Sequence, residues 1–270
     1  MSKPRFDSPE ALLRRFAEGR GSGEGRHFKS WLTTLDVTRY GTRRQMFSAL
    51  MGCPLHVLSF LEAALVLVLE WAVSITSLKV QVPLPLEDTI KVALSTPYQH
   101  PSAQNGFPVV MTTDAVATFE ERGRSWQVGF CAKYEKDLRD QRVLEKLEIE
   151  RLTWRNVLCN QWFVVRETDL PSVLVENLRW VRSRMRPGIL DYLGGETILA
   201  AEGWMRPRAI AGKSPIAAVA SECDRKLAIA AGSSLSIVRY LIATRAWRVD
   251  LISRRILPST DCLVFDRSDL

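Results

Sequence analysis

The sequence predicts an α/β fold, in which a mixed-sheet domain is followed by a mostly α, winged-helix-like C-terminal domain. Strand and helix patterns alternate over residues 43–185, which is typical of an α/β sandwich. Two apolar runs, residues 109–120 and 125–133, flank a short turn and predict a hairpin of that sheet. Beyond residue 187, helical patterns followed by two short strand-like runs indicate a winged helix.

The N-terminal elements follow from local start and stop signals. Ser8-Pro9-Glu10 is a helix start signal, because Pro is favoured at the first helical position. The glycine-rich run 19–26 (GRGSGEGR) predicts a flexible basic tether within an N-terminal arm, residues 1–42. Two strand-like runs that flank Met51-Gly52 predict a hairpin. Residues 59–71 predict a helix that is apolar on nearly every face.

The later elements are predicted from hydrophobic periodicity. Pro187-Gly188 marks the predicted boundary between domains of residues 1–186 and 187–270. Before it, besides the hairpin, we predict a strand at 74–83, helices at 86–94 and 139–155, a strand at 161–166 and a helix at 171–185. After it, we predict helices at 214–223 and 233–243 and short strands at 247–252 and 262–265.

Composition limits the function classes. The 270 residues carry a formal charge of +7 and a pI near 9.3, which favours a polyanionic partner such as DNA. Five scattered cysteines without a CxxC spacing favour reduced thiols over a disulfide framework or a zinc site. The most apolar stretch, residues 57–73, is interrupted by Glu62 and Glu70 and is too short to span a membrane. No secretory leader pattern is present, so we expect a cytoplasmic protein.

Three residues around the predicted hairpin suggest a catalytic site. Asp114 lies on its first strand, Lys133 ends its second, and Glu62 lies on the apolar helix upstream. Phosphodiester hydrolysis needs an activated water and neutralisation of a highly charged intermediate, which carboxylates holding Mg²⁺ and one cation can supply. At position 132 the side chain points to the other face of the strand, so only the backbone carbonyl of Ala132 could reach the metal.

Each of these residues also has a structural interpretation. Ser59-Phe60-Leu61-Glu62 fits a capping box, in which Glu62 bonds back to the helix N-terminus. Asp114 follows Thr112-Thr113 and could bond to those hydroxyls. Lys133 could end a strand in solvent. From the residues alone, a nuclease and a structural role for these side chains remain alternatives.

Longer motifs carry a resemblance to a known family. The segments GRGSGEGRHFKSWLTTLDV (19–37), LSFLEAALVLVLEW (58–71), MTTD (111–114) and CAKYEKDLRDQRVLEKLEIERLTW (131–154) resemble the TnsA endonuclease subunit of TnsABC-type heteromeric transposases. The resemblance covers residues 8–182 and is weaker beyond them. It implies a restriction-endonuclease-like catalytic domain followed by a winged helix. By motif, Glu62, Asp114 and Lys133 are the implied catalytic residues.

The resemblance also implies partners and a reaction. A TnsA-like subunit would cleave the 5′ strands at transposon-end DNA, a TnsB-type transposase would cut the 3′ strands, and a TnsC-type ATPase would engage the C-terminal domain. The expected cofactor is Mg²⁺, with Mn²⁺ as an alternative, held by Glu62, Asp114 and the Ala132 carbonyl. We expect the protein at the bacterial nucleoid. In the basic arm, Arg20, Arg26 and Lys29 are the candidate DNA contacts.

One position departs from the family pattern. The residue two before the lysine is typically Gln or Glu in this family, and here it is Cys131. A thiol is a poor ligand for Mg²⁺, which prefers hard oxygens, so Cys131 is a candidate ligand of lower rank, and Cys131→Gln is expected to be tolerated. Two other functions stay open: a free-standing restriction-like or junction-resolving nuclease, and a non-catalytic DNA-binding adaptor.

Overall fold

The computed structural model describes residues 8–36, 44–103, 105–182 and 191–266. The chain divides into two compact units, Met1–Leu170 and Pro171–Leu270. The boundary predicted at Pro187-Gly188 lies outside the described residues. The division at Leu170 falls before it and places the helix predicted at 171–185 in the second unit.

The first unit contains ten α-helices and β-strands among its described residues. They are α1 (Pro9–Ala17), β1 (Arg44–Ser48), β2 (Cys53–Val57), α2 (Phe60–Glu70), β3 (Ile75–Pro83), α3 (Leu86–Leu94), β4 (Thr112–Glu121), β5 (Arg124–Ala132), α4 (Gln141–Asn156) and β6 (Gln161–Val165). Each was predicted from the sequence to within a few residues. None of the helices in the described residues is long and apolar enough to cross a membrane.

Polar side chains fix the helix starts. The Ser8 hydroxyl accepts from the Ala11 amide at 3.2 Å, and the Ser59 hydroxyl accepts from the Glu62 amide at 3.0 Å. The Asp140 carboxylate accepts from the Arg142 amide at 2.7 Å. These bonds satisfy amides that have no partner within the first helical turn, so α1, α2 and α4 begin where they do.

A mixed four-stranded sheet forms the centre of the first unit, in the order β3-β4-β5-β6. The first three strands are antiparallel, whereas β6 pairs parallel to β5, with α4 as the crossover between them. Arg122 and Gly123 both have positive φ angles, +51° and +74°, which is the geometry of a tight β4–β5 hairpin turn. The β1–β2 hairpin forms a separate two-stranded sheet.

The two faces of the sheet bury separate apolar clusters. Ala115 and Ala117 of β4 lie in a cluster with the apolar side chains of α2, here called the α2 cluster. Val116, between them, lies in a cluster with residues of α3 and α4, here called the α4 cluster. Because neighbouring side chains of a strand point to opposite faces, the sheet lies between α2 and α4. This α/β arrangement was expected from the sequence.

The glycine-rich segment 19–26 is folded, contrary to the prediction of a flexible tether. The Arg20 guanidinium bonds to the carboxylates of Glu18 and Asp36 and to the Trp31 carbonyl. The Trp31 amide in turn donates to the Gln81 carbonyl of β3 at 2.9 Å. Composition suggested flexibility, but long-range polar bonds attach this segment to the sheet.

The second unit is helical in its described residues. Its helices are α5 (Ser172–Arg182), α6 (Gly195–Ala211), α7 (Ile216–Lys226) and α8 (Ser233–Ala243). Asn177 explains why α5 belongs here: its amide nitrogen donates to the carbonyls of Leu251 and Arg254 at 2.9 and 2.8 Å, and its oxygen accepts from the Ile256 amide at 2.8 Å.

The two short strands predicted at 247–252 and 262–265 are not formed as strands. Within residues 191–266, the β-pairing is a single bridge between Val249 and Phe265. The following residues turn instead, because the Asp250 carboxylate accepts from the amides of Ile252 and Ser253 at 2.8 and 2.9 Å. The winged-helix prediction is therefore not confirmed, although the helices now seen as α7 and α8 were predicted.

Candidate active site

Asp114 of β4 lies at the centre of the candidate site. Its Oδ2 accepts from the Ala132 amide at 2.8 Å, from the Cys131 thiol at 3.4 Å and from the Lys133 ammonium at 3.5 Å. The residues of the Cys-Ala-Lys motif therefore surround one carboxylate oxygen. The antiparallel pairing of β4 with β5 places this motif beside Asp114.

Glu62 approaches the site from the first turn of α2. Its Oε2 accepts from the Leu58 amide at 2.8 Å and from the Gln81 amide nitrogen at 3.1 Å. Burial, and next the charge of Asp114, raise the pKa of Glu62 to about 7. A carboxyl group whose ionised form is disfavoured in this way is stabilised as a carboxylate when a positive charge lies against it.

Gln81 joins the two carboxylates and was not predicted from the sequence. Its amide nitrogen donates to Glu62 Oε2 at 3.1 Å and to Asp114 Oδ1 at 3.3 Å. The Thr112 hydroxyl donates to its amide oxygen at 3.3 Å. Gln81 is 1% exposed, and the sequence signal that could have identified it is a Gln between Val80 and Val82 in an apolar strand.

Lys133 extends from the end of β5 toward the same carboxylate. Its ammonium donates to the Ala132 carbonyl at 3.1 Å and lies 3.5 Å from Asp114 Oδ2. The charge of Asp114 raises the pKa of Lys133 well above its ordinary value, so this side chain is a cation at neutral pH. It is 32% exposed, which leaves it accessible to a ligand.

The structural roles that the sequence suggested for Glu62 and Asp114 are observed only in part. One half of the predicted capping box is formed, because the Glu62 amide donates to the Ser59 hydroxyl, but the Glu62 side chain accepts from the amides of Leu58 and of the Gln81 side chain. The Thr113 hydroxyl donates to Glu150 at 2.7 Å, and that of Thr112 donates to Gln81, instead of bonding to Asp114.

Cys131 is a buried, neutral thiol. Burial raises its pKa well above the ordinary value, and the neighbouring carboxylates of Glu150 and Asp114 act in the same direction. The thiol donates to Asp114 Oδ2 at 3.4 Å. Since a thiol must lose its proton to bind a metal, this environment favours a role as a hydrogen-bond donor to Asp114.

Glu150 of α4 lies behind the site and was also not predicted from the sequence. It is 4% exposed, and burial, followed by the charge of Asp114, raises its pKa to about 7. Its Oε1 accepts from the Thr113 hydroxyl at 2.7 Å and from the Trp162 indole at 2.9 Å. The LEKLEIER motif that contains it marked this helix as distinctive, but periodicity could not show which of its glutamates is buried.

The three candidate DNA contacts of the arm differ in their availability. Arg20 is engaged by two carboxylates and a carbonyl, and its side chain is 19% exposed. The Lys29 ammonium donates to the Glu18 carbonyl at 2.9 Å but is exposed to solvent. Arg26 is exposed and donates to the His27 ring at 3.3 Å. Arg26 and Lys29 can reach a phosphate more readily than Arg20.

The oxygen atoms of the site fit a hard divalent cation. Two carboxylates converge on one amide, and the adjacent Ala132 carbonyl adds a third oxygen. Over the described part of the chain, no group of three or more His, Cys, Asp or Glu side chains has a metal-binding arrangement. A cation here would therefore rest on two carboxylates, a backbone oxygen and water.

The mixed four-stranded sheet, with carboxylates and a lysine meeting where β4 pairs with β5, fits an endonuclease-like domain. Comparison with known families agrees with this class. A family model described as the TnsA-like endonuclease N terminal matches residues 74–167, and one described as the TnsA endonuclease C terminal matches residues 169–251. The chain belongs to the TnsA endonuclease family.

A curated relative gives the same result. The transposition protein TnsA of transposon Tn7 from Escherichia coli is 35% identical over 172 residues, which is 64% of this chain. The alignment spans 62% of that relative's length. Asp114 and Lys133 lie within the matched N-terminal range of the family, whereas Glu62 precedes it.

Proposed function

We propose that this chain is the endonuclease subunit of a heteromeric transposase and that it cleaves the 5′ strands at transposon-end DNA with the help of Mg²⁺. The observation that carries the proposal is the convergence of Glu62, Asp114 and Lys133 in a member of the TnsA endonuclease family. The formal net charge of +7 supports DNA, a polyanion, as the substrate. The site of action would then be the bacterial nucleoid.

The cation would be held by Glu62, Asp114 and the Ala132 carbonyl, and Mn²⁺ is an alternative to Mg²⁺. When bound, it supplies Lewis-acid stabilisation of the charge that develops on the phosphate. Cys131, whose pKa is raised by burial, would keep its proton and orient Asp114 rather than serve as a ligand.

Lys133 would supply the positive charge of the protein itself. An ammonium has three N–H donors, and the Ala132 carbonyl and Asp114 engage two of them. The third can donate to a phosphate oxygen or orient the attacking water. Asp114 holds this ammonium beside the carboxylates, so Lys133 would stabilise negative charge where it develops.

The proposed partners are a TnsB-type transposase, which would cut the opposite strands, and a TnsC-type ATPase, which would engage the second unit. The relative is named as a transposition protein, which supports a shared reaction. We also propose that the second unit is winged-helix-like. The helices α7 and α8 and the Val249–Phe265 bridge support this.

Strand-resolved cleavage of labelled transposon-end DNA with Mg²⁺ tests the proposal. The native chain, Asp114→Ala and the control Glu121→Ala would each be assayed alone and with the partner transposase. Glu121 is exposed at the far end of the same strand, so its removal leaves the site intact. We expect 5′-strand cuts that require the partner and vanish only with Asp114→Ala.

Other outcomes identify the alternatives. Cuts by this chain without the partner would favour a free-standing nuclease. DNA binding without any cuts, in the presence of the partner and Mg²⁺ or Mn²⁺, would favour a non-catalytic adaptor. Cuts that persist in Asp114→Ala would contradict the proposed site.

A further inference from the structure

The Gln81 side chain contacts both carboxylates of the candidate site. Its amide nitrogen carries two protons, and it lies 3.1 Å from Glu62 Oε2 and 3.3 Å from Asp114 Oδ1. The Thr112 hydroxyl, a donor to the amide oxygen at 3.3 Å, supports this orientation of the amide. Two carboxylates that would otherwise repel each other are thereby held together by one neutral side chain.

The backbone of Gln81 is strained within a strand. Its φ is +53°, in the left-handed region that residues with a side chain rarely adopt. Such a conformation is unfavourable and persists only where the surroundings fix it. Here the Gln81 carbonyl accepts from the Trp31 amide at 2.9 Å, and the side chain is bonded at both ends.

The strain coincides with a reversal of side-chain direction in β3. Leu78 and Val80 lie in the α2 cluster, whereas Val82 packs against the α4 cluster. Regular alternation from Val80 would send Gln81 to the α4 face, away from Glu62. The left-handed residue breaks the alternation, and its side chain instead reaches Glu62 on α2.

The side chains of β4 also reverse their direction, at the position that pairs with Gln81. Ala115 and Ala117 lie in the α2 cluster, but Thr113 bonds to Glu150 of α4. Val80 pairs with Ala115 and Val82 with Thr113, so the register places Gln81 opposite Asp114. The strained Gln81 therefore lies opposite Asp114, where the side chain of β4 turns toward α2.

We propose that Gln81 is a positioning residue, which holds Glu62 and Asp114 at a separation at which they share one divalent cation. This inference rests on the proposed function, because it assigns the carboxylates to a cation. Gln81 acts through them, as the outer partners of metal ligands commonly do. The amide is suited to this role because it donates to both carboxylates without adding charge.

The test measures Mn²⁺ binding, followed by the paramagnetic resonance signal of the free ion, and the unfolding temperature with and without Mn²⁺. Gln81→Leu removes both donors and keeps the bulk. Gln81→Gly also removes both donors, and glycine adopts a positive φ without strain. This variant can therefore be measured even if Gln81→Leu does not fold. Gln127→Leu, an exposed Gln of β5, is the matched control.

We expect both Gln81 variants to weaken Mn²⁺ binding by about 10- to 100-fold, the usual effect of losing an outer partner of a metal ligand. The Mn²⁺-induced rise in unfolding temperature should shrink accordingly, whereas Gln127→Leu should match the native chain. Native Mn²⁺ affinity in a folded Gln81 variant would overturn the inference, even if that variant were less stable.

The Asp114→Ala variant separates this result from the proposed function. If the native chain binds Mn²⁺ and Asp114→Ala does not, the cation site stands and the Gln81 variants decide the inference. If the native chain and Asp114→Ala respond to Mn²⁺ alike, the proposed cation site itself is contradicted and the inference is lost with it.

Discussion

The Thr113 hydroxyl donates to Oε1 of Glu150 at 2.7 Å, directly behind the candidate site. The same hydroxyl oxygen accepts from the Trp154 indole at 2.8 Å. Thr113 precedes Asp114 in β4, so these buried bonds hold the strand on one face while Asp114 reaches the other residues of the site.

Thr113→Val should therefore destabilise the protein. The change keeps the shape but removes one of the two donors to Glu150, since the Trp162 indole remains, and leaves the Trp154 indole without an acceptor. We expect a loss of about 1–3 kcal/mol in the free energy of unfolding, measured in urea. Thr113→Ser retains the hydroxyl and should recover most of it. Equal losses in both variants would show that the methyl group, rather than the hydrogen bonds, matters.

Glu150→Gln should change how stability depends on pH. The folded pKa of about 7 lies above the ordinary value of 4.5, so between these values the folded state binds the proton and the unfolded state does not. Glu150 therefore makes stability fall as pH rises through this window. Glu150→Gln removes this ionisation. Between pH 5 and pH 7.5 the free energy of unfolding should then fall less than in the native chain, by on the order of 1–3 kcal/mol.

Urea unfolding at the two pH values checks this expectation. Glu62, with a raised pKa of about 7, contributes in the same direction, so the slope should become shallower without vanishing. Glu121→Gln, on the exposed end of β4, is the control. A slope unchanged by Glu150→Gln would mean that Glu150 is ionised in the folded protein.

Gly129→Ala should destabilise the sheet. A Cβ at this position of β5 would lie 2.6 Å from Cε2 of Trp154 and 2.9 Å from Cδ1 of Trp162. Both rings are held by hydrogen bonds to Thr113 and Glu150, so they cannot move freely. We expect a loss of about 1–3 kcal/mol, measured by chemical unfolding.

Gly203→Ala in α6 is the opposite case. A Cβ there meets nothing within 4 Å, and alanine is the better helix former. This control should raise stability by about 0.4–1 kcal/mol. A destabilising Gly203→Ala, or a neutral Gly129→Ala, would contradict the packing described for these positions.

Cys131 should resist thiol reagents in the folded protein. It is 2% exposed, and burial raises its pKa, so little thiolate forms near neutral pH. Cys159 is exposed and should react first with iodoacetamide. Mass spectrometry of the labelled peptides, with and without urea, gives the order. Rapid native labelling of Cys131 would contradict its buried position.

Arg20→Gln and Arg26→Gln should have different effects on DNA binding. Arg20 is paired with Asp36 and Glu18, so its loss should mainly lower stability. Arg26 is exposed, and if it contacts a phosphate its loss should reduce the salt dependence of binding by about one counterion. Binding titrations over a range of salt concentrations measure this slope. An unchanged slope would assign Arg26 to another role.

Local patterns predicted most of the secondary structure because caps and periodicity act over a few residues. The helix predicted at 233–243 is observed at Ser233–Ala243, and α2 begins after its predicted cap, Ser59. The helix α6 was not predicted; it contains Pro207, and a proline in its sequence argues against a helix interior. The sequence placed α5 in the first domain, because no local pattern indicates that Asn177 bonds to residues some 75 positions away.

The sequence alone determined the residue types of the candidate site: Glu62 on an apolar helix, Asp114 on one strand and Lys133 at the end of the next. Tertiary structure decided which side chains lie around them. Gln81 reaches Glu62 and Asp114 across 19 and 33 residues of chain, and Glu150 reaches Thr113 across 37. Hydrogen bonds between distant segments and burial in a shared core fix these contacts, and no local period of the sequence encodes either of them.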